Sequence, residues 1–278
     1  MDAGTKKKAQ KNREVARLLW LHGFGDHCSN YDDVFILLAN QGITVHAFDQ
    51  RGQGRSIHGP SDKGRTGPAE TMLSDVTDFI RALPATGVAQ FLGGHSMGGA
   101  EVLLWASRAP ADVKASIRGY LVEAPMLRLH PSLQPSNSIV WAMRALAKIV
   151  PNWQIVQSPS ADRVSRDKRV QEKVAKQDAA VATLSSIVNT FLWTGELDQG
   201  LCDLSARETA SKGLWIGHGD EDRVTSFDAA RDYYARSGVK DKTFVTYTGC
   251  LHVIHQEPDP EKNRLVQDMA SWISSRAV

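Results

Sequence analysis

Cysteine is scarce in this chain of 278 residues: Cys28, Cys202 and Cys250 are all there is. An odd, sparse set without metal-ligand spacing excludes a disulfide framework and a zinc-finger type of site, and it points to a reducing compartment, the cytoplasm. Charge of one sign is lacking as well. Lys and Arg number 33 against 31 Asp and Glu, for a net charge of +2, so nothing in the charge balance calls for nucleic acid. No apolar run approaches the ~20 residues needed to span a bilayer. Residues 1–14 are polar and basic with no apolar stretch, which excludes a signal peptide and reads as a solvated tail. Internal repeats and low-complexity segments are missing too. At 42% apolar and 23% charged residues, the composition is that of an ordinary globular protein.

What is present is an alternation of short apolar runs and amphipathic stretches. Strand-like runs lie at residues 18–21, 43–48, 90–93 and 119–122, with helices expected over 32–40, 69–83 and 100–108. Such alternation predicts an α/β fold with a mostly parallel sheet covered on both faces. From residue 128 to about 207 the strand pattern disappears. Helices are expected over 138–150, stopped by Pro151, over 167–176 and over 179–192. Two further strands, 214–217 and 243–247, return the chain to the core. The organisation is therefore core at 1–127, a helical cap at 128–207, and core again at 208–278. In the cap, Ile139, Met143, Leu146 and Val150 share one helical face, flanked by the cationic Arg144 and Lys148. Above the strand ends, that face suits an acyl-chain pocket and its rim a membrane or lipid-droplet surface.

The segment Gly94-His95-Ser96-Met97-Gly98 has the form G-x-S-x-G, between a strand and a helix. This is the context of a nucleophile elbow, in which a serine sits on a sharp turn with its hydroxyl lifted out of the sheet. Side chains at Gly94 and Gly98 would clash across so tight a turn. A serine needs a base, an acid that orients the base, and donors for the oxyanion. Met97, following the serine, supplies one backbone N–H. Phe24, in the loop His22-Gly23-Phe24-Gly25, supplies the second. The acid belongs in the loop after strand 214–217, where Asp220, Glu221 and Asp222 compete. The base belongs after strand 243–247, where His252 and His255 compete. His218 reads as structural. Cys28 and Cys250 lie near these loops in sequence, either as thiols at the site or as buried inert side chains.

Together these stretches resemble the monoacylglycerol lipases, serine hydrolases of the α/β-hydrolase fold. The resemblance runs from about residue 16 to the end. It is carried by His22-Gly23-Phe24-Gly25-Asp26-His27, the segment Phe48-Asp49-Gln50-Arg51-Gly52-Gln53-Gly54-Arg55-Ser56, the elbow with Gly99, Leu129-His130-Pro131, Ser165-Arg166-Asp167, residues 218–224, and His252-Val253-Ile254-His255. Phe-Asp-Gln-Arg-Gly and Leu-His-Pro are closest to fungal members. The resemblance implies Ser96, Asp222 and His252 as the catalytic triad, with Phe24 and Met97 as oxyanion donors. It implies hydrolysis of a lipid ester without cofactor or metal. It also implies a polar end-pocket for glycerol, built in mammalian members from a Glu, an Arg and a His; the matching positions here are Asp26, Asn30 and His255. The substrate-binding set is then Asp26, His255, Ile139 and Met143. A broad carboxylesterase is the alternative enzyme, and a non-catalytic binding protein of the same fold the alternative outside catalysis. Family members carry an antiparallel strand pair before the strand that leads into the oxyanion loop. Nothing in this sequence builds it, so a sheet of about six strands is expected. Residues 43–48 would form its edge, covered by the N-terminal tail or by a second copy of the chain in a homodimer.

Overall fold

The computed structural model describes residues 14–85, 87–157, 160–176, 179–205 and 211–277. The core strands are β1 (Ala16–Leu21), β2 (Ile43–Ala47), β3 (Ala89–His95) and β4 (Ile117–Glu123). Two cap strands follow, β5 (Gln154–Gln157) and β6 (Ala180–Thr183), and then the core strands β7 (Gly213–Gly219) and β8 (Asp241–Tyr247). The helices of the first half are α1 (Asp32–Ala39), α2 (Ala69–Ala82), α3 (Met97–Arg108) and α4 (Ala111–Ala115). Those of the second half are α5 (Asn137–Ala147), α6 (Lys168–Lys176), α7 (Leu184–Asp198), α8 (Phe227–Arg236) and α9 (Glu261–Ser274).

The core sheet has six strands in the order β2-β1-β3-β4-β7-β8, and every pairing within it is parallel. This is the α/β-hydrolase fold, with a core sheet of six strands among the described residues. The period-2 geometry of a strand explains why it is buried on both sides. Leu19, Leu21, Leu92, Tyr120, Val122, Leu214 and Ile216 face α2, α3 and α8. Their neighbours Leu18, Trp20, Phe91, Leu121 and Trp215 face α1 and α9 on the other side. Alternate residues of one strand thus serve two cores. All six strands run the same way, so their carboxyl ends open on one rim, where a parallel sheet builds its site.

Between β4 and β7 the chain leaves the sheet and forms α5, β5, α6, β6 and α7. The expected continuous helix from residue 179 is corrected here. Ala180–Thr183 is a strand, paired antiparallel with Gln154–Gln157. Two tertiary contacts override its local helical pattern. The Thr183 N–H donates to the Gly64 carbonyl at 2.9 Å, and Ala180 packs against Gly25. Helix α7 then begins at Leu184, with the Thr183 hydroxyl capping the Ser186 N–H. Such caps contribute about 1 kcal/mol. α7 packs into the core through Trp193 and Leu197, whereas α5 buries no residue fully.

Strand β2 closes the sheet on the β1 side, as expected of a chain without the extra pair. Among the described residues no strand pairs with its outer edge. A groove of about 440 Å³ runs beside it, lined by Phe35, Ile36, Ile43 and Val45 among others. Of the tail expected to cover this edge, Glu14 lines the groove, and residues 1–13 lie outside the described residues.

One core side chain is out of character. Glu101, on α3, is 1% exposed, and its Oε2 has no hydrogen-bond partner among the described residues. Burial, with Asp75 adding to it, raises its carboxyl to about 8. The folded state therefore binds this proton more tightly than the unfolded chain, whose value is near 4.5. Its stability cost is absent below that value and grows as pH rises from about 4.5 to about 8. Glu101→Gln should raise Tm at pH 9 by several degrees and change it little at pH 4.5, as read by thermal denaturation. An equal shift at both pH values would contradict this account.

Candidate active site

Ser96 follows β3 directly and opens α3 with φ 54° and ψ −118°. Positive φ on a residue that is not glycine costs about 1–3 kcal/mol and persists only where the surroundings enforce it. Here the Ser96 N–H donates to the Glu123 carbonyl at 3.0 Å, while the Ser96 carbonyl accepts from Ala100 and Met126 at 3.0 and 2.9 Å. A Cβ on Gly94 would lie 2.6 Å from the backbone of Gly98. A Cβ on Gly98 would overlap the carbonyls of Leu21 and His22. The glycine at 98 is thus required by the end of β1 rather than by Gly94.

The same close approach brings the oxyanion loop to the serine. A Cβ on Gly23 would sit 3.3 Å from Ser96 Cβ. The loop is held from behind. His22 Nδ1 donates to the Gly23 carbonyl at 2.8 Å, its Nε2 accepts from the Gln50 N–H at 2.9 Å, and Gln50 Nε2 donates to the His22 carbonyl at 2.7 Å. Burial pushes His22 below the usual histidine range, in keeping with the neutral tautomer these bonds require. Among the described residues, neither the Phe24 nor the Met97 N–H donates a hydrogen bond. Met97 is the first residue of α3, where an N–H has no partner within the helix.

Of the three acids, Asp222 is the one brought to a histidine: His252 Nδ1 donates to Asp222 Oδ2 at 2.9 Å. Asp220 instead accepts from the Gly249 N–H, and Glu221 is exposed beside Arg223. Asp222 is 4% exposed. Its Oδ2 also accepts from His218 Nε2 at 3.0 Å and from the Thr225 hydroxyl at 2.7 Å. Its Oδ1 accepts the Val224 and Thr225 N–H groups at 2.7 and 3.0 Å. Burial pushes the carboxyl up, but the neighbouring His252 and His218 and their hydrogen bonds outweigh it and hold Asp222 well below the usual carboxylate range. With its proton on Nδ1, His252 keeps Nε2 as a lone pair, the form a general base needs. The Ser96 hydroxyl makes no hydrogen bond among the described residues. Its neighbour His95 places its ring 4.7 Å from the His252 ring and Nε2 3.2 Å from the His252 carbonyl.

A second acid–histidine pair lies behind the first. His255 Nδ1 is 2.9 and 3.0 Å from the two carboxylate oxygens of Glu123, and the His255 N–H adds a third bond at 3.1 Å. The His255 ring stacks on Tyr31 at 4.5 Å, and its Nε2 is buried without a partner among the described residues. Burial would raise Glu123, but His255 brings it down to about 2. Burial, with the neighbouring histidines, lowers His95 to about 3 despite Glu123. His95 is therefore neutral and carries its proton on Nε2, facing a carbonyl. The Tyr31 hydroxyl then has one proton for two acceptors, Asp26 Oδ2 at 2.8 Å and His95 Nδ1 at 3.1 Å. Asp26 also accepts from Asn30 Nδ2 at 2.5 Å and from the His27 N–H at 2.8 Å. His95, Glu123 and His255 are, among the described residues, a group whose donor atoms fall within 4.8 Å of one another; Glu123 and His255 bond to each other, whereas His95 bonds to Tyr31 and to the His252 carbonyl.

The structure thus gathers Ser96, His252, Asp222, Phe24, Met97, Asp26 and His255 on one rim. It leaves Ile139 half exposed and Met143 half-buried on α5. Glu123, Tyr31, Thr225 and the contact of His218 with Asp222 are not visible in any motif. Glu123 ends a strand on the correct rim, which is the one sequence signal for it. Cys28 and Cys250 do not behave as reactive thiols. Burial and Asp49 raise Cys28 well above the usual thiol range, and burial with Glu257 raises Cys250 to about 12.

A family model described as "Serine aminopeptidase, S33" matches residues 12–259. A protein of Schizosaccharomyces pombe named "Putative monoglyceride lipase" is 32% identical over 264 residues, covering 95% of this chain and 68% of its own length. The chain belongs to the monoglyceride lipase family. The monoacylglycerol lipase of Mycolicibacterium smegmatis is 28% identical, covering 91% of this chain and 86% of its own. Among solved structures, a soluble variant of monoglyceride lipase from Saccharomyces cerevisiae in complex with a substrate analog superposes with a TM-score of 0.84. It is 23% identical and covers 95% of this chain and 87% of that one, a likeness of fold.

Replacing Ser96 or His252 by Ala should lower kcat for an ester by on the order of 10⁴. Asp222→Asn should cost nearly as much and Asp220→Asn little. Steady-state kinetics of the four variants decide between the acids, and a larger loss at Asp220 would reject Asp222.

Proposed function

We propose that this chain cleaves monoacylglycerols to fatty acid and glycerol through an acyl-enzyme. The observation that carries the reading is the Asp222–His252 pair on the sheet rim that also bears a serine on a strained elbow, with the His252 ring against His95, the residue before that serine. His252 Nε2 takes the Ser96 proton as Oγ adds to the ester carbonyl. The Phe24 and Met97 N–H groups hold the oxyanion. His252 returns the proton to the departing glycerol oxygen. Water repeats the sequence on the acyl-enzyme, releasing the fatty acid and restoring Ser96.

Residues 128–207 act in this reading as a cap, with Ile139 and Met143 against the acyl chain. Asp26 and His255 hold the glyceryl end. They are already linked through Tyr31, which bonds one and stacks on the other. His255→Ala should raise KM for a monoacylglycerol several-fold more than for the methyl ester of the same acid. Equal changes on both esters would place the glyceryl end elsewhere. An acyl-length series on monoacylglycerols against p-nitrophenyl esters tests the substrate class itself, and a preference for short p-nitrophenyl esters would favour a broad carboxylesterase.

No helix among the described residues is long and apolar enough to cross a membrane. We place the protein in the cytoplasm, resting on a membrane or lipid droplet through the cap. Trp141, Ile149 and Trp153 are 73%, 78% and 57% exposed, beside the exposed Arg144 and Lys148. Apolar anchors with a basic rim are what an anionic lipid surface binds. Replacing Trp141 and Ile149 by Ser should lower co-sedimentation with anionic vesicles at least tenfold while leaving turnover of a dispersed short-chain ester intact. The edge of β2, which no strand pairs among the described residues, is where a second copy would pair.

A further inference from the structure

Ser165, Arg166 and Asp167 lie in the inserted segment, and the hydrolytic chemistry gives them no part. The contacts of Ser165 and Arg166 run to the loop that carries His252, whereas those of Asp167 stay within its own segment. The Val253 N–H donates to the Val164 carbonyl at 2.9 Å. The Ser165 hydroxyl donates to the Gln256 carbonyl at 2.8 Å. The Arg166 backbone N–H and its Nε both donate to Glu257 Oε2 at 3.1 Å, and its guanidinium reaches Glu261 at 3.5 Å. The other oxygen of Glu257 accepts from the Leu251 N–H at 2.8 Å. The residues on both sides of His252 are therefore tied, Val253 directly to Val164 and Leu251 through Glu257 to Arg166, to the inserted segment. That segment is in turn held to α6, because Gln171 Nε2 donates to the Ser165 carbonyl at 2.8 Å.

The electrostatics single out Arg166 within this set. The Glu257 side chain is fully buried, while that of Arg166 is 41% exposed. Arg166 is the basic side chain that pairs with Glu257 among the described residues. A buried carboxylate deprived of its cation is strongly unfavourable and finds a new arrangement. The loop has few ways to relax without moving Leu251, and His252 follows it. The ring of His252 must stay aligned with both Asp222 and Ser96, and misplacement by about 1 Å is enough to cost on the order of 10²-fold in rate.

We propose that Arg166 is a positioning residue for His252, acting through Glu257, so that the seating of the cap and the alignment of the general base are one event. This rests on the assignment of His252 as the base. The role differs from that of the acyl pocket: an effect through His252 falls on kcat for every ester, whereas an effect through the pocket falls on KM for long chains.

The test compares wild type, Arg166→Ala, Arg166→Lys and Glu257→Gln on p-nitrophenyl acetate and on a long-chain monoacylglycerol, with fluorophosphonate labelling of Ser96 followed by mass spectrometry and Tm measured for each. Arg166→Ala should lower kcat 10- to 100-fold on both esters, with KM changed less than threefold, and slow labelling to the same degree. Arg166→Lys keeps the backbone N–H bond and a cation and should recover at least half of the lost rate on a logarithmic scale. Glu257→Gln retains an acceptor for Leu251 without the buried charge; it should fold and lose less activity than Arg166→Ala. A fall in Tm with kcat unchanged would overturn the proposal, as would a change confined to KM for the long-chain ester. Should Arg166→Ala fail to fold, the Lys and Gln variants decide, and full activity in both would overturn the proposal. Failure of wild type to label at Ser96 would instead refute the catalytic reading on which the proposal rests.

Discussion

The turn at Ser96 is the constraint around which the rest is arranged. Its left-handed backbone is costly in isolation. It is held because β4, the loop after it and α3 each contribute a hydrogen bond to the same residue, and because Gly98 lets α3 start directly beneath the end of β1. The close packing that holds the strain also brings the oxyanion loop to the serine. The order of strands in the sheet thus has a chemical consequence. β1 and β3 are neighbours, so the loop after β1 that carries Phe24 and the start of α3 at Met97, far apart in the chain, lie at the same end of adjacent strands.

How much of this was legible in the sequence depended on whether local chemistry or distant packing decided each element. The core strands and the helices between them were legible, because a sheet buried on both faces writes its apolar runs into the sequence. The elbow was legible because its glycines are sterically required. The choice among Asp220, Glu221 and Asp222 was not a local matter. It depends on which carboxylate the β7 loop turns inward, and that is set by the N–H groups of Val224 and Thr225. Strand β6 was misread as helix because Gly64 and Gly25, more than a hundred residues earlier, decide its backbone.

Glu123 was invisible for a different reason. One acid at the end of a strand carries no pattern, and its partner His255 lies far along the chain. Structure shows what the residue does physically. Two acid–histidine pairs stand on either side of His95, one reaching the serine's base and the other stacked on Tyr31. The ring between them is neutral and donates to the backbone of His252. Among the described residues, two ring nitrogens of this cluster, His255 Nε2 and His218 Nδ1, are nonetheless buried without a partner. An unmatched buried polar atom costs on the order of 1–3 kcal/mol, an imbalance that a bound hydroxyl would relieve at His255.

The pairing of β4 with β7 has a further consequence. Gly119 is registered against Gly213, and the whole inserted segment is, for the sheet, one loop between two adjacent strands. The entropy of closing a loop grows only logarithmically, about 0.6 kcal/mol for each doubling of its length. Closure of the sheet is therefore nearly indifferent to how long the insertion is. What ties the insertion to the core is packing and hydrogen bonding: Trp193 and Leu197 of α7 sit in the core, the Thr66 N–H donates to the Ser186 hydroxyl, and the Gly64 and histidine-loop bonds add to these. Helix α5 stands apart, since it buries no residue fully. Change in α5 would therefore alter what reaches the catalytic rim while asking little of the stability of the core.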